Sequence, residues 1–326
     1  MSVTTICTEP SVTAAPQAPL PGAARAMDLR FPTLTTTVPK ELVHRASVAE
    51  VLLTGWSRTG DTRFAVSGQW PRGHSFFHPV QERHDPLIVA ETFRQAAILL
   101  AHAEFGVDLD QHFLMWDLQV EVEPEQLAVG FAPASVELDI TCHDVSWRRG
   151  ALAAVRYEAA VMREGRRVAT VGGACTCTSP AVYRRLRGAR LDRPGTPPAL
   201  SAPMAPQNVG RTSPMDVVLS PTGHDARWLL RCDTRHPVLF DHQGDHVPGM
   251  VLLEAARQAM VATLGQGAFP RFVASEFKRY VELDTPCTIE AARLPDHPAG
   301  PRVAVSAHQN GESVFTATVG ADLPRT

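Results

Sequence analysis

Glu254, Arg257 and Gln258 are the residues whose types and spacing most plainly could do chemistry. They interrupt MVLLEAARQA, a stretch apolar almost all round and so read as a buried helix. Their i, i+3, i+4 spacing puts all three on one stripe. Sealing a carboxylate and a guanidinium inside such a helix is costly unless they are paired or used. One reading is an i, i+3 ion pair that satisfies itself; the other is that the pair handles a reactive guest. Gln258, on the same stripe, is read as orienting backbone across the helix. Ahead of the helix, His236, His242 and His246 lie with Asp241 and Asp245 in a loop that runs into Pro248-Gly249. Imidazoles there could do acid–base or orienting work. A metal is not expected: Gly244 and Pro248 break any helix, so the His242–His246 spacing sets no two rings on one helical face.

The constellation occurs twice. ETFRQA, with Glu91, Arg94 and Gln95, repeats EAARQA, and upstream of each lies a histidine closely followed by phenylalanine, at His74 and at His236. His78 is the counterpart of His242 if one gap is allowed; His74, His84 and His102 are weaker candidates, His102 reading as a core residue of the helix. The elements around each copy also match. Two strand-like segments about a turn, 51–70 and 217–234, come first, then the long helix, then four apolar, partly alternating stretches. One greasy helix among six strands requires a sheet wrapped around it, an α+β arrangement. Residues 1–38, rich in Pro, Ala, Thr and Ser, read as a disordered tail. Residues 184–213 read as a linker whose prolines exclude a helix or inner strand, leaving repeats at 39–183 and 214–326.

A net charge of −3 gives no general reason to expect nucleic acid or membrane binding. No apolar run reaches the roughly 18 residues a bilayer span needs. The start of the chain lacks a basic segment followed by an apolar one, so a cytoplasmic protein with its six cysteines reduced is expected. Cys175 and Cys177 alternate as on one face of a strand, with no partner pair nearby to suggest metal. Arginine is strongly preferred, Lys40 and Lys278 being the only lysines.

PGMVLLEAARQ resembles the central-helix motif of hotdog acyl-thioester dehydratases: a histidine loop, Pro-Gly, then an apolar helix with an acidic residue. More specifically, HSFFHPVQERHDPLIVAETFRQAAILLAHAEFG and HPVLFDHQGDHVPGMVLLEAARQA together resemble the two repeats of the A-factor biosynthesis (AfsA-like) family, over roughly residues 40–326. The resemblance implies a tandem hotdog fold, each repeat a curled antiparallel sheet around one long buried helix. It also implies an acyltransferase that moves a β-ketoacyl chain from acyl carrier protein to a hydroxyl of dihydroxyacetone phosphate, on the way to a γ-butyrolactone, butenolide or furan signalling molecule. No cofactor is implied, since the thioester arrives activated. The repeats can pair within the chain, and a homodimer is feasible.

On that resemblance Glu254 could be a general base, its pKa raised by burial. Arg257 could hold the acceptor's phosphate through its bidentate fork; Arg94, Gln258, His246 and His236 are further candidates for binding substrate. The N–H of Gly249, backed by the helix dipole, could stabilise the oxyanion formed from the thioester. The first repeat has Asp85-Pro86-Leu87 there, without the small residue. Because the loop histidine of one hotdog unit generally faces the helix carboxylate of its neighbour, His242 would work with Glu91 and His78 with Glu254. Leu252, Leu253, Phe240 and Phe93 could line an acyl tunnel or be ordinary core. Two rival functions use the same residues: a dehydratase or thioesterase, and a non-catalytic acyl- or lactone-binding regulator.

Overall fold

The computed structural model describes residues 34–192, 195–295 and 297–323, so most of the expected N-terminal tail lies outside the described residues. Alternation writes the strands. In β4 (Ala134–Arg148) the even residues from Ala134 to Cys142, Val136, Leu138 and Ile140 among them, are buried, and the odd ones between them are exposed or half-buried. Six strands precede the Pro-rich region: β1 (Leu53–Arg58), β2 (Arg63–Trp70), β3 (His112–Val122), β4, β5 (Ala151–Arg163) and β6 (Arg166–Thr178). Six follow it: β7 (Leu219–Pro221), β8 (Arg227–Leu230), β9 (Phe269–Phe277), β10 (Cys287–Arg293), β11 (Arg302–Gln309) and β12 (Glu312–Asp322). All pair antiparallel in one sheet of order β1-β2-β4-β5-β6-β3-β9-β12-β11-β10-β8-β7.

That order reads the same from either end once β7–β12 are equated with β1–β6. The repeats therefore meet back to back at β3 and β9, where Val120 faces Val273 and the Ser275 hydroxyl donates to the Leu118 carbonyl at 2.9 Å. The pairing surface a hotdog unit needs is met inside the chain. Gly173 of β6 makes the close approach to β3 possible, because a β-carbon there would stand 2.6 Å from the Asp117 carbonyl oxygen.

Each half wraps one helix, α1 (Leu87–Ala103) or, after the short amphipathic α2 (Pro180–Arg187), α3 (Gly249–Leu264). The two long helices are buried on almost every side and their apolar side chains join one continuous core. Leu252, Leu253 and Phe93 belong to that core, whereas Phe240 is half-buried. No helix among the described residues is long and apolar enough to cross a membrane.

The linker needs correction at both ends. Ser179 accepts from the Val182 N–H and Pro180 occupies the first helical position, where its missing N–H costs nothing, so residues 180–187 form α2 and 189–192 a further turn. At the other end, a 3₁₀ turn Pro206–Val209 hands the chain to Arg211, which is buried in the second repeat.

Candidate active site

Each helix carboxylate is gripped by two arginines rather than one. Glu254 receives the Arg257 Nε and Nη2 at 2.9 and 2.7 Å, and the Arg211 Nε and Nη2 at 2.7 and 2.6 Å. Glu91 is held the same way by Arg94 (Nε and Nη2, both 2.9 Å) and Arg45 (Nε 3.1 Å, Nη2 2.6 Å). Gln258 and Gln95 each donate to their carboxylate, and also tie the chain of the neighbouring 3₁₀ turn through one donated and one accepted bond. They orient; Gln258, fully buried, is not a group that binds substrate.

Arg45 and Arg211 went unread in the sequence, yet they carry a signal: RASVAE and RTSPMD share arginine, then serine, then an acid. Ser47 and Ser213 cap matching 3₁₀ turns. The acids at their ends, Glu50 and Asp216, face Nε2 of His74 and His236 at 3.3 and 3.1 Å. Nδ1 of each of these histidines accepts from two following backbone N–H groups, at Phe76 and Phe77 and at Val238 and Leu239. His236 is thus a buried brace with both nitrogens used, which corrects its assignment to substrate.

The arginines cross between repeats. Arg45 Nη1 donates to the Val238 carbonyl and lies 3.8 Å from Asp241, in the loop of the second repeat. Arg211 Nη1 donates to the Phe76 carbonyl at 2.7 Å and lies 3.2 Å from Asp85, in the first. Each loop is thereby joined through one arginine to the other repeat's carboxylate, the second-repeat loop through Arg45 to Glu91 and the first-repeat loop through Arg211 to Glu254. His78 reaches Thr212 at 3.5 Å, its pKa lowered by burial and by Arg211. His242 is 61 % exposed, with Asp241 at 3.6 Å. His246 donates to Asp245 at 2.8 Å beside the Tyr183 hydroxyl.

The charge state expected of Glu254 is reversed. Burial alone would raise the carboxyl, but Arg211 and Arg257 outweigh it and hold Glu254 down at about 2; Arg45 and Arg94 do the same for Glu91. With both oxygens taken up by two guanidiniums and an amide, the carboxylate has little left to offer a substrate hydroxyl, which argues against the general-base role expected of Glu254. The two clusters differ in access. Side-chain exposure is zero for Arg211 and Glu254 and 2 % for Arg257, but 19 % for Arg94. Arg257 is thus sealed away from any phosphate, while Arg94 keeps Nη1 without a partner among the described residues.

The helix starts differ too. Asp85 caps α1 by accepting the Leu87 N–H at 2.9 Å, whereas no side chain caps α3 at Gly249. A β-carbon at Gly249 would stand 3.1 Å from the Phe277 ring. The uncapped helix start thus follows the second-repeat loop, and the more exposed arginine lies on the first-repeat helix. Over that loop lies a cavity of about 500 Å³ lined by Phe240, Asp241, His242, Asp245 and Glu282, with Arg190 as its arginine. So many carboxylates make it a poor seat for an anion. Among the described residues no group of three or more His, Cys, Asp or Glu is placed to hold a metal ion.

The chain matches a family model described as the A-factor biosynthesis hotdog domain over residues 27–179 and 195–322. It is 54 % identical, over 88 % of its length and 98 % of the relative's, to a 2-oxo-3-(phosphooxy)propyl 3-oxoalkanoate synthase of Streptomyces virginiae. To a Streptomyces griseus protein of the same name it is 43 % identical, over 85 % of this chain and 92 % of that one. Among solved structures it resembles the 12:0-ACP thioesterase of Umbellularia californica, with a TM-score of 0.51 at 12 % identity over 82 % of this chain and 99 % of the other, a likeness of fold.

Proposed function

The chain belongs to the A-factor biosynthesis hotdog family, and from that we propose that it is an acyltransferase joining a 3-oxoacyl chain to a hydroxyl of dihydroxyacetone phosphate. The product is a 2-oxo-3-(phosphooxy)propyl 3-oxoalkanoate, the ester for which its relatives are named. Ring closure of that ester leads to a butenolide phosphate and so to a signalling molecule. The acyl chain arrives as a thioester on acyl carrier protein; the hydroxyl oxygen attacks the thioester carbon, the C–S bond breaks, and the hydroxyl proton leaves with the thiol.

One observation carries this reading: Arg94 is the most exposed of the four buried-cluster arginines and keeps its Nη1 without a partner among the described residues, in a site that neutralises its own carboxylate. A phosphate oxygen accepts from such a nitrogen in a charge-assisted bond. The uncapped N–H groups at Gly249 are donors for the oxyanion, and His242 and His246 stand in the loop between. An acidic carrier protein would meet, on α2, exposed Arg184 and Arg185 beside Val182 (49 % exposed) and Leu186 (59 %). The inner face of α2 rests on this site, Tyr183 stacking on His112 at 3.7 Å and Arg187 pairing with Asp245.

The test is mass spectrometry of products from purified protein and 3-oxoacyl carrier protein, with and without dihydroxyacetone phosphate. A phosphorylated ester formed only when the acceptor is present supports the reading. Free acid or enoyl product formed regardless of acceptor makes the protein a thioesterase or dehydratase, and binding without turnover makes it a regulator.

A further inference from the structure

The two repeats part company at the residue before the inner arginine. Each has a four-residue 3₁₀ turn, Lys40–Val43 or Pro206–Val209, closed by one residue in the left-handed region. In the second repeat that residue is Gly210 (φ 68°), which is what such a backbone favours. In the first it is His44 (φ 50°, ψ 51°). An L-residue held there is strained by about 1–2 kcal/mol, so its side chain needs another justification. A β-carbon at Gly210 would stand 3.2 Å from Arg257 Nη1. The matching place in the first repeat is filled, next to Arg94, whose Nη2 lies 3.5 Å from the Val43 carbonyl.

The partner of His44 has changed as well. Counting along the helices from Glu91 and Glu254, His102 stands where the second repeat has Gly265. His44 Nε2 lies 2.9 Å from His102 Nε2, and His102 Nδ1 lies 2.7 Å from the Val107 carbonyl. The carbonyl can only accept, so His102 carries a proton on Nδ1, and with the ring neutral its Nε2 is bare. His44 must then donate from Nε2, which leaves His44 Nδ1 as a lone pair without a partner among the described residues. Phe113 presents its edge to both rings, with centroids 5.4 and 5.3 Å away.

We propose that His44 Nδ1 is the base that takes the proton from the acceptor hydroxyl, that His102 fixes its tautomer, and that the first-repeat site alone is catalytic. This rests on the acyltransfer reading above. The hydroxyl oxygen forms the new C–O bond, the C–S bond breaks, and the proton passes from the hydroxyl to His44 Nδ1 and then to the departing sulfur. Burial, and after it positive neighbours of which Arg94 carries a fixed charge, lower the His44 pKa to about 4, so near pH 7 the ring is neutral and its Nδ1 lone pair is unprotonated. A phosphate dianion arriving at Arg94 offsets those positive neighbours and raises the ring again, strengthening the base only once the acceptor is in place.

His44→Gly is the direct test, because glycine fits the left-handed backbone and makes the first repeat like the second. Melting temperature should hold or rise, the KM for dihydroxyacetone phosphate should stay within about threefold, and kcat should fall about 100-fold or more. Free imidazole should restore part of that loss. His102→Gln, whose amide can both accept from His44 and donate to Val107, should keep kcat within about tenfold, and His102→Leu should not. Long-range ¹H–¹⁵N spectra should show the Nε2–H form of His44. If wild-type protein makes the ester but folded His44→Gly keeps kcat within about threefold, or His44 carries its proton on Nδ1, this inference is wrong and the acyltransfer reading stands. If wild-type protein makes no ester, it is that reading which fails.

Discussion

Arg211→Met probes the sealed cluster hardest. The guanidinium is fully buried, bonded twice to Glu254 and once to the Phe76 carbonyl, 3.2 Å from Asp85, and stacked 4.2 Å above the Phe76 ring. Arg211 and Arg257 balance Glu254 and Asp85, so the cluster is neutral; removing one cation strands a carboxylate with no water to receive it. Breaking a buried pair from one side costs about 3–5 kcal/mol. At roughly 2–4 °C per kcal/mol for a large domain, melting should fall by about 6–20 °C. Arg211→Met with Glu254→Gln removes both charges, and should recover about 2 kcal/mol or more relative to the sum of the singles. Urea unfolding of the four proteins completes the cycle. Glu254→Gln, assayed well below its melting temperature, should keep kcat within about tenfold, because the sealed carboxylate does no proton transfer. An unshifted melting point for Arg211→Met, or additive losses, would refute the keystone role. Loss of turnover by Glu254→Gln with unchanged stability would return the glutamate to the mechanism.

Arg94→Lys should raise the KM for dihydroxyacetone phosphate roughly 10- to 100-fold by withdrawing the Nη1 donor, whereas Arg257→Lys should lower stability and leave KM alone; steady-state kinetics and melting curves separate the two. Glu91 and Glu254 both have folded pKa values lowered from 4.5 to about 2. Their stabilisation is complete above about pH 4.5 and drains away as pH falls toward 2, so urea midpoints should match at pH 7 and 5 and drop by pH 3; an unchanged midpoint at pH 3 would contradict the burial of these pairs. Arg184→Glu with Arg185→Glu should raise the KM for the carrier-bound thioester roughly tenfold at low salt, an effect that shrinks at high salt and is absent for a short thiol-ester surrogate. No change with the carrier at low salt would move docking away from α2.

What the sequence made legible follows from which physics is local. Alternation and helical periodicity are properties of neighbouring residues, and so the six-strand, one-helix grammar of each half could be read directly, as could the stripe of Glu254, Arg257 and Gln258. The partners of that stripe come from far away: Arg211 and Arg45 lie more than forty positions before the carboxylates they hold. Arg211 sat in what read as linker because proline density there outweighs a single arginine. Without it, Glu254 looks like a carboxylate with one cation and a pKa pushed up by burial; with it, the sign reverses. Exposure was equally out of reach, since Glu91–Arg94 and Glu254–Arg257 are identical as sequence and differ by what covers them. Yet the residue that separates the two sites is local after all. A histidine in one repeat and a glycine in the other, each one position before the matching arginine, is visible once the RASVAE and RTSPMD segments are aligned. Duplication builds two equal buried ion clusters; trading a left-handed glycine for an imidazole in one of them, and giving that imidazole a partner on the helix, turns a brace into a place where a proton can be moved.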